Sequence, residues 1–459
     1  MNKYKASNKN IIVPLIIVIL PNLFFYISSI MVGLERVFIN IDYFLPIFFL
    51  SINKKFIYYI TFVIMVFIDF LLMFGQIFPI IRINDFFYLL KFSLISCDIY
   101  KIYGFFIVVF SLIVISIIKV LYKKEHKSSL LVIFNIVIIL YIVTLGMNYS
   151  KSTSGKFWKP KSGFSSFLFL DYLTYYNTNF INTYHVKGEA FSTNKKIGGT
   201  ANIWKNKSIK DYNKILVIVN ESWGVLKNEE AQSNILAPIL QIKTIENTVQ
   251  DTIDFTGFTI AGELRELCQK SPIHFNLKDQ KTGFEDCLPH YYKNLGYKTV
   301  AVHGALSVMY DRQYWYPRVG FDEILFRDTG LNLNNSFCYS FPGNCDKDIT
   351  TVVSSKFKEN DNLFLYWLTL NTHSNYDMRD LERNIFNCEY YGIKESSASC
   401  RNLKLQKQFF FNLSQILVNE EFRGAKVVVV GDHEPPIIST ESSAFVKNKV
   451  PVVTFDIKN

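Results

Sequence analysis

The stretch KVVVVGDHEPP, residues 426–436, decides how the second half of this chain is read. Four consecutive valines make a strand buried on both faces, the pattern of an inner strand in a covered parallel sheet. Such a strand ought not to finish on Asp432, His433 and Glu434 without compensation, because unpaired polar and charged groups are costly to bury. Working outward, four more apolar runs precede or follow it: 214–220, 297–303, 362–370 and 450–455. Helix-length segments separate them, so the region from 212 onward is expected to be an α/β domain with a mainly parallel sheet and helices on both faces.

In open α/β sheets, chemistry sits beyond the carboxyl ends of the strands. The 214–220 strand runs into Glu221, the 297–303 strand ends on His303, the 362–370 strand leads to His373, and the valine strand runs into Asp432 and His433. Three of the chain's seven histidines occupy such ends. Glu, Asp and His at adjacent strand ends form an O/O/N ligand set for one divalent ion, Zn²⁺ or Mn²⁺. Between the first two strands, TGFTIAGELRELC (256–268) passes from loop to helix at Thr259. Its hydroxyl is either a nucleophile at a helix N-terminus or an N-cap, and spacing alone does not separate these.

The first part of the chain is different. Of 459 residues, 42 are Phe and 27 Tyr, and residues 1–147 read as an all-α polytopic membrane domain. Apolar runs at about 11–34, 37–53, 56–81, 101–122 and 129–147 give five expected spans. The 37–53 run is short and interrupted by Asp42 and Pro46. Lys3, Lys5 and Lys9, then Lys54 and Lys55, then Lys123, Lys124 and Lys127 all fall on one side of a five-span chain, which the positive-inside rule makes cytoplasmic. The C-terminal domain, 212–459, is then expected outside the cytoplasmic membrane. Segment 84–98 reads as an interfacial helix, and 148–211 as a connector along the lipid surface. Asp69, within the third expected span, is either a functional acid or a helix–helix hydrogen-bonding group. The net charge of +10 is scattered rather than arranged as a basic stripe, which fits a protein beside anionic lipid and excludes a nucleic-acid partner.

Six of the seven cysteines lie in the C-terminal domain as local pairs: Cys268 and Cys287, Cys338 and Cys345, Cys388 and Cys400. Three disulfides are expected from an even count in an oxidising compartment, although six cysteines allow fifteen connectivities. With the lysine pattern, this places the domain in the periplasm of a bacterial inner membrane protein.

Together these residues resemble the alkaline phosphatase/sulfatase superfamily. The nearer likeness is to its membrane-embedded bacterial branch, the lipoteichoic acid synthases and phosphoethanolamine transferases. The resemblance implies that Glu221 in VNESWG, Thr259 in GFTIAGE, and Asp432 with His433 in GDHEPP hold the catalytic metal, with Thr259 as nucleophile. It implies that His303 and Arg312, nine positions apart in HGALSVMYDR, bind substrate together with His373 in TLNTH. The implied activity moves a phosphoglycerol or phosphoethanolamine headgroup from a phospholipid to a glycan or glycolipid through a phospho-threonine. Two departures stand out. No His follows His433, as it does in the phosphoethanolamine enzymes, and lipoteichoic acid synthases are not built on several disulfides. A phosphodiesterase would use the same residues, an inactive sensor would lose them, and a sulfatase would need Arg where CLPHY (287–291) has Tyr291.

Overall fold

The computed structural model describes residues 9–32, 36–52, 54–77, 98–121, 142, 164–168, 188–192, 198–201, 203, 212–374, 376–437 and 443–459. They fall into two compact units, one within 1–182 and one within 183–459.

In the first unit, helices occupy Lys9–Val32, Lys55–Ile77 and Asp98–Leu121. Their side chains are described over only part of each length, and among the described residues no helix is long and apolar enough to cross a membrane. The expected 37–53 span is not one helix. It forms strand β1 (Ile39–Asn40), a single 3-10 turn at Ile41–Tyr43, and a helix Phe44–Ser51. Eight residues rise only about 12 Å, far short of a bilayer core. The interruption begins where the Asn40 side chain accepts the Asp42 N–H and so starts a turn. β1 pairs in parallel with β2 (Ser165–Ser166), from the connector. The expected 84–98 interfacial helix lies outside the described residues except for Asp98, as does the 129–147 span except for residue 142.

Asp69 is fully buried and plays the hydrogen-bonding part. It accepts from Arg36 Nε at 3.0 Å and Nη2 at 2.5 Å, and from the Tyr43 hydroxyl at 3.0 Å. Arg36 Nη2 also reaches Asn22 Oδ1 at 3.0 Å, which ties the Lys9–Val32 helix into the same network.

In the second unit, strands β3 (Lys214–Asn220), β4 (Ile245–Asp254), β5 (Lys298–His303), β6 (Glu323–Phe326), β7 (Leu363–Leu368), β8 (Lys426–Gly431) and β9 (Lys449–Ile457) form one sheet. Their order is β4-β9-β8-β3-β7-β5-β6. The five strands from β8 to β6 are parallel, and β9 and β4 add an antiparallel edge. The sheet is mainly parallel, as expected, and carries two strands that the apolar runs did not reveal. β4, IENTVQDTID, is exposed along most of its length, as a polar edge strand should be. β6 is only four residues long.

Alternation along the inner strands explains the layers. Leu216 and Ile218 of β3 enter one apolar core, with Ile235 and Phe410 from helices Glu229–Leu240 and Ala398–Leu417. Ile215, Val217 and Val219 enter the other, with Leu264 and Trp315 from helices Thr259–Cys268 and Arg312–Val319. Both faces of the sheet are therefore buried.

Register then positions the strand ends. Asn220 of β3 lies opposite Gly431 of β8, so the next residues, Glu221 and Asp432, leave the sheet side by side. On the other flank, His303 of β5 is level with Leu368 of β7, which is level with Val219 of β3.

Candidate metal and phosphoryl-transfer site

Glu221, Thr259, Asp432 and His433 meet at this edge. Thr259 is the first residue of its helix, after a Phe258 in extended conformation, and makes no cap. Its hydroxyl donates to Glu221 Oε2 at 3.2 Å and lies 3.4 Å from His433 Nε2. The N-cap alternative thus fails on geometry, because Thr259 lies inside the helix and its hydroxyl points at the acidic cluster. His433 Nε2 is 3.3 Å from Asp432 Oδ2 and 3.5 Å from Glu221 Oε1. Its Nδ1 lies 2.8 Å from the Glu434 carbonyl, so Nδ1 carries a proton, and in the neutral ring Nε2 turns its lone pair to the centre. Glu434 therefore contributes through its backbone, while its side chain accepts the Asn448 N–H.

Glu221 is held from behind. Its N–H donates to Thr369 Oγ1 at 2.8 Å, and its carbonyl accepts from Thr372 Oγ1 and Gln406 Nε2. Asp432 Oδ1 accepts the N–H groups of Ser222 and His433, at 2.7 and 2.6 Å. Ser222 reaches it from a left-handed backbone at φ 49°. Asp432 Oδ2, by contrast, is buried with no hydrogen-bond partner. Burial first, and Glu221 next, push the Asp432 carboxyl up to about 7. Two adjacent carboxylates, one with an orphaned oxygen, and an inward imidazole nitrogen make a donor set for a cation. Glu221, Asp432 and His433 each offer a ligand atom within 4.8 Å of the others, and these residues fit a divalent metal.

The three expected substrate residues are held in different ways. His303 is buried, and its Nδ1 donates to the Leu368 carbonyl at 3.0 Å. Burial, then Arg312, hold its pKa well below the usual value, so it is a neutral ring. His373 packs on Phe341 at 4.6 Å between ring centroids. Burial pushes it down to about 4, with His433, Asp432 and Arg312 also acting on it. Arg312, expected to bind substrate, is engaged within the protein. Its Nε and Nη2 donate to Glu263, the closest contact being 2.8 Å, and Nη1 to the Met309 carbonyl. Glu263 is fully buried and also accepts from the Tyr316 and Tyr366 hydroxyls.

Sequence reading missed Tyr310. Burial followed by Glu221 raises its phenol above the usual range, and Thr259 also acts on it. Arg312 sits over its ring at 4.7 Å. Tyr310 and Asp311 both take left-handed backbone, φ 56° and 58°, a costly conformation that clusters at functional sites. The sequence signal was confined to its position two residues before Arg312.

The cysteines correct one expectation. Disulfides join Cys268 to Cys287 and Cys388 to Cys400. Cys338 and Cys345 instead stand as two buried thiols. Cys345 Sγ donates to the Phe337 carbonyl and Cys338 Sγ to Asp380 Oδ2.

Residues 255–437, a span that includes Thr259 and His433, match the family model described as Sulfatase. Solved structures in the alkaline phosphatase superfamily are similar to this chain. A protein of that superfamily from Vibrio parahaemolyticus is 17% identical, at a TM-score of 0.42, over 54% of this chain and 61% of that one. The chain thus spans about three fifths of that relative's length. The lipoteichoic acid synthase LtaP from Listeria monocytogenes is 16% identical, at a TM-score of 0.41, over 60% of this chain and 71% of that one. The phosphoglycerol transferase GacH from Streptococcus pyogenes, in complex with sn-glycerol-1-phosphate, is 18% identical, at a TM-score of 0.40, over 58% and 77%. No curated protein matches the sequence.

Proposed function

We propose that this protein is a membrane-anchored, metal-dependent transferase. It moves a phosphoglycerol or phosphoethanolamine headgroup from a phospholipid to a periplasmic or cell-surface glycan or glycolipid. The observation that carries this reading is the Thr259 hydroxyl at a helix N-terminus, 3.2 Å from Glu221 and 3.4 Å from His433, beside the orphaned Asp432 oxygen.

Glu221, Thr259, Asp432 and His433 would hold the metal, Zn²⁺ or Mn²⁺, which when bound lowers the hydroxyl pKa and screens phosphoryl charge. Thr259 gives up its hydroxyl proton as Oγ attacks the headgroup phosphorus; the Oγ–P bond forms, the P–O bond to diacylglycerol breaks, and the departing alkoxide takes up a proton in its place. An acceptor hydroxyl then attacks the same phosphorus and releases Thr259. N–H groups of the Thr259–Cys268 helix face the phosphoryl oxygens. The neutral rings of His303 and His373, and the remaining Arg312 donor hydrogens, orient the group by hydrogen bonds.

A multi-pass position in a bacterial inner membrane, with the catalytic unit in the periplasm, belongs to the same reading. It is supported by the outward apolar residues of the first unit. Ile19, Leu23, Ile27 and Ile30 recur at helical spacing on one exposed face, and Phe56, Phe105 and Leu112 are more than half exposed. Such a surface suits lipid rather than water. The structure weakens the sulfatase alternative: Cys287, the only candidate formylglycine precursor in CLPHY, is bonded to Cys268.

The test is headgroup transfer in proteoliposomes. Thr259→Ala should lower transfer at least about 10³-fold, and wild type quenched in acid should carry the headgroup phosphate on Thr259. Transfer by Thr259→Ala at the wild-type rate would end the covalent reading. Release of headgroup to water with every acceptor tried would favour a phosphodiesterase.

A further inference from the structure

Every residue of the Thr259–Cys268 helix is buried, yet Thr259 alone contacts the centre with its side chain. Arg265 and Glu266, consecutive residues near its other end, are 1% and 0% exposed. Arg265 turns its guanidinium to the end of β8: Nη2 donates to the Gly431 carbonyl at 2.7 Å and Nη1 to the Asp432 carbonyl at 3.3 Å. The Phe255 ring lies 4.3 Å beneath it. The helix is already pressed against this peptide, since a Cβ on Gly262 would lie 2.8 Å from the Asp432 carbonyl oxygen.

Glu266 links Arg265 to a distant piece of chain. Its Oε1 accepts Arg265 Nε at 2.5 Å and the Gly199 N–H at 3.1 Å, and its Oε2 accepts the Thr200 N–H at 2.9 Å. The Thr200 hydroxyl donates back to the Glu266 carbonyl at 2.8 Å. Gly198 completes the grip, for a Cβ there would lie 2.7 Å from both Glu266 carboxylate oxygens. A continuous buried path thus runs from the Gly198–Thr200 turn through Glu266 and Arg265 to the backbone that carries Asp432.

We propose that Arg265 and Glu266 are positioning residues for the metal, and that the Gly198–Thr200 turn is part of the same device. The proposal rests on the reading of Asp432 as a metal ligand. Arg265 restrains the Gly431–Asp432 peptide and thereby the aim of the Asp432 carboxylate. Glu266 neutralises and orients Arg265, and the two N–H groups of the turn orient Glu266. Groups that fix a ligand from behind typically set metal affinity by about 10–100-fold. The segment that enters the catalytic unit is therefore a component of its metal site, although it supplies no ligand.

The experiment is titration of the full-length, metal-stripped protein with Mn²⁺ and with Zn²⁺ by calorimetry, together with the rise in melting temperature each metal produces. Gly198→Ala displaces the Glu266 carboxylate without changing the helix; Arg265→Met removes the grip on Asp432, and Arg265→Lys keeps the charge but not the fork. Gly198→Ala and Arg265→Met should each weaken metal binding about 10–100-fold, with Arg265→Lys in between. Glu382→Gln, which breaks the surface pair with Lys347, should leave affinity unchanged. Gly198→Ala keeps the test readable if Arg265→Met does not fold. Wild-type affinity in folded Gly198→Ala and Arg265→Lys would overturn the positioning device while leaving the metal site standing. A wild-type protein that binds neither ion would overturn the metal reading itself, and this proposal with it.

Discussion

Arg312 is bound to Glu263 through both Nε and Nη2, so the two residues form one buried, neutral unit beside the site rather than an isolated cation. Glu263 lies one helical turn beyond Thr259, so Thr259 and Arg312 are set by the same helix. Removing one partner of a buried pair leaves the other charge uncompensated, at a cost of about 3–5 kcal/mol. Glu263→Gln should therefore lower stability by about that amount and raise the donor KM more than it lowers kcat. Denaturant melts and donor titrations check this. A Glu263→Gln protein as stable as wild type would show that Arg312 finds its compensation elsewhere.

The metal-free protein should lose stability as pH rises from about 6.5 to 8. Burial raises Asp432 and Asp346 from 3.8 to about 7, and His433 is also raised, because Asp432 and Glu221 outweigh its burial. Groups with raised folded pKa values stabilise below the unfolded pKa and lose that contribution as pH climbs through the folded one. His303 and His373 are lowered, so they stabilise above about 6.5 and oppose the aspartates between about 4 and 6.5. From 6.5 to about 7.5 the unfolded rings shed their remaining protons, a smaller gain than the loss from Asp432, Asp346 and His433, and above that the decline is unopposed. Saturating metal should flatten it, because Asp432 and His433 then bind no proton, leaving the share of Asp346. Melting temperatures from pH 5 to 8.5, with and without metal, give the comparison; a metal-free protein that gains stability from 6.5 to 8 would contradict it.

Peptide mapping without reduction should find the Cys268–Cys287 and Cys388–Cys400 links and two thiols at Cys338 and Cys345. Both thiols are buried, so an alkylating reagent should reach them only after unfolding. Cys268→Ser with Cys287→Ser should cost about 3 kcal/mol, as expected for a closed loop of this length. It should also loosen the C-terminal end of the helix that carries Thr259. A third link in the mature protein would return the expectation of three.

Much of the candidate site was legible because its polar side chains follow apolar strands. Glu221, His303, His373, Asp432 and His433 interrupt or terminate runs that composition alone marks as buried. β4 escaped because an exposed edge strand has no apolar run to announce it, and β6 because four residues are too few. Tyr310 escaped because its approach to Thr259 depends on two left-handed residues in a loop that no periodicity describes. The pairing of Cys338 with Cys345 was inferred from nearness in sequence, which does not determine whether two thiols join.

The amino-acid order by itself therefore determined which strands are buried and which polar residues they deliver to one edge, since both follow from local hydrophobicity and the two-residue repeat of a strand. Tertiary structure alone decided what those residues meet. Register set Glu221 beside Asp432, packing set Glu263 on Arg312, and Arg265 found the Gly431 and Asp432 carbonyls across 166 and 167 residues of sequence. Such partners are chosen by which buried hydrogen-bonding groups must satisfy one another once the layers close, and that choice is made in space rather than along the chain.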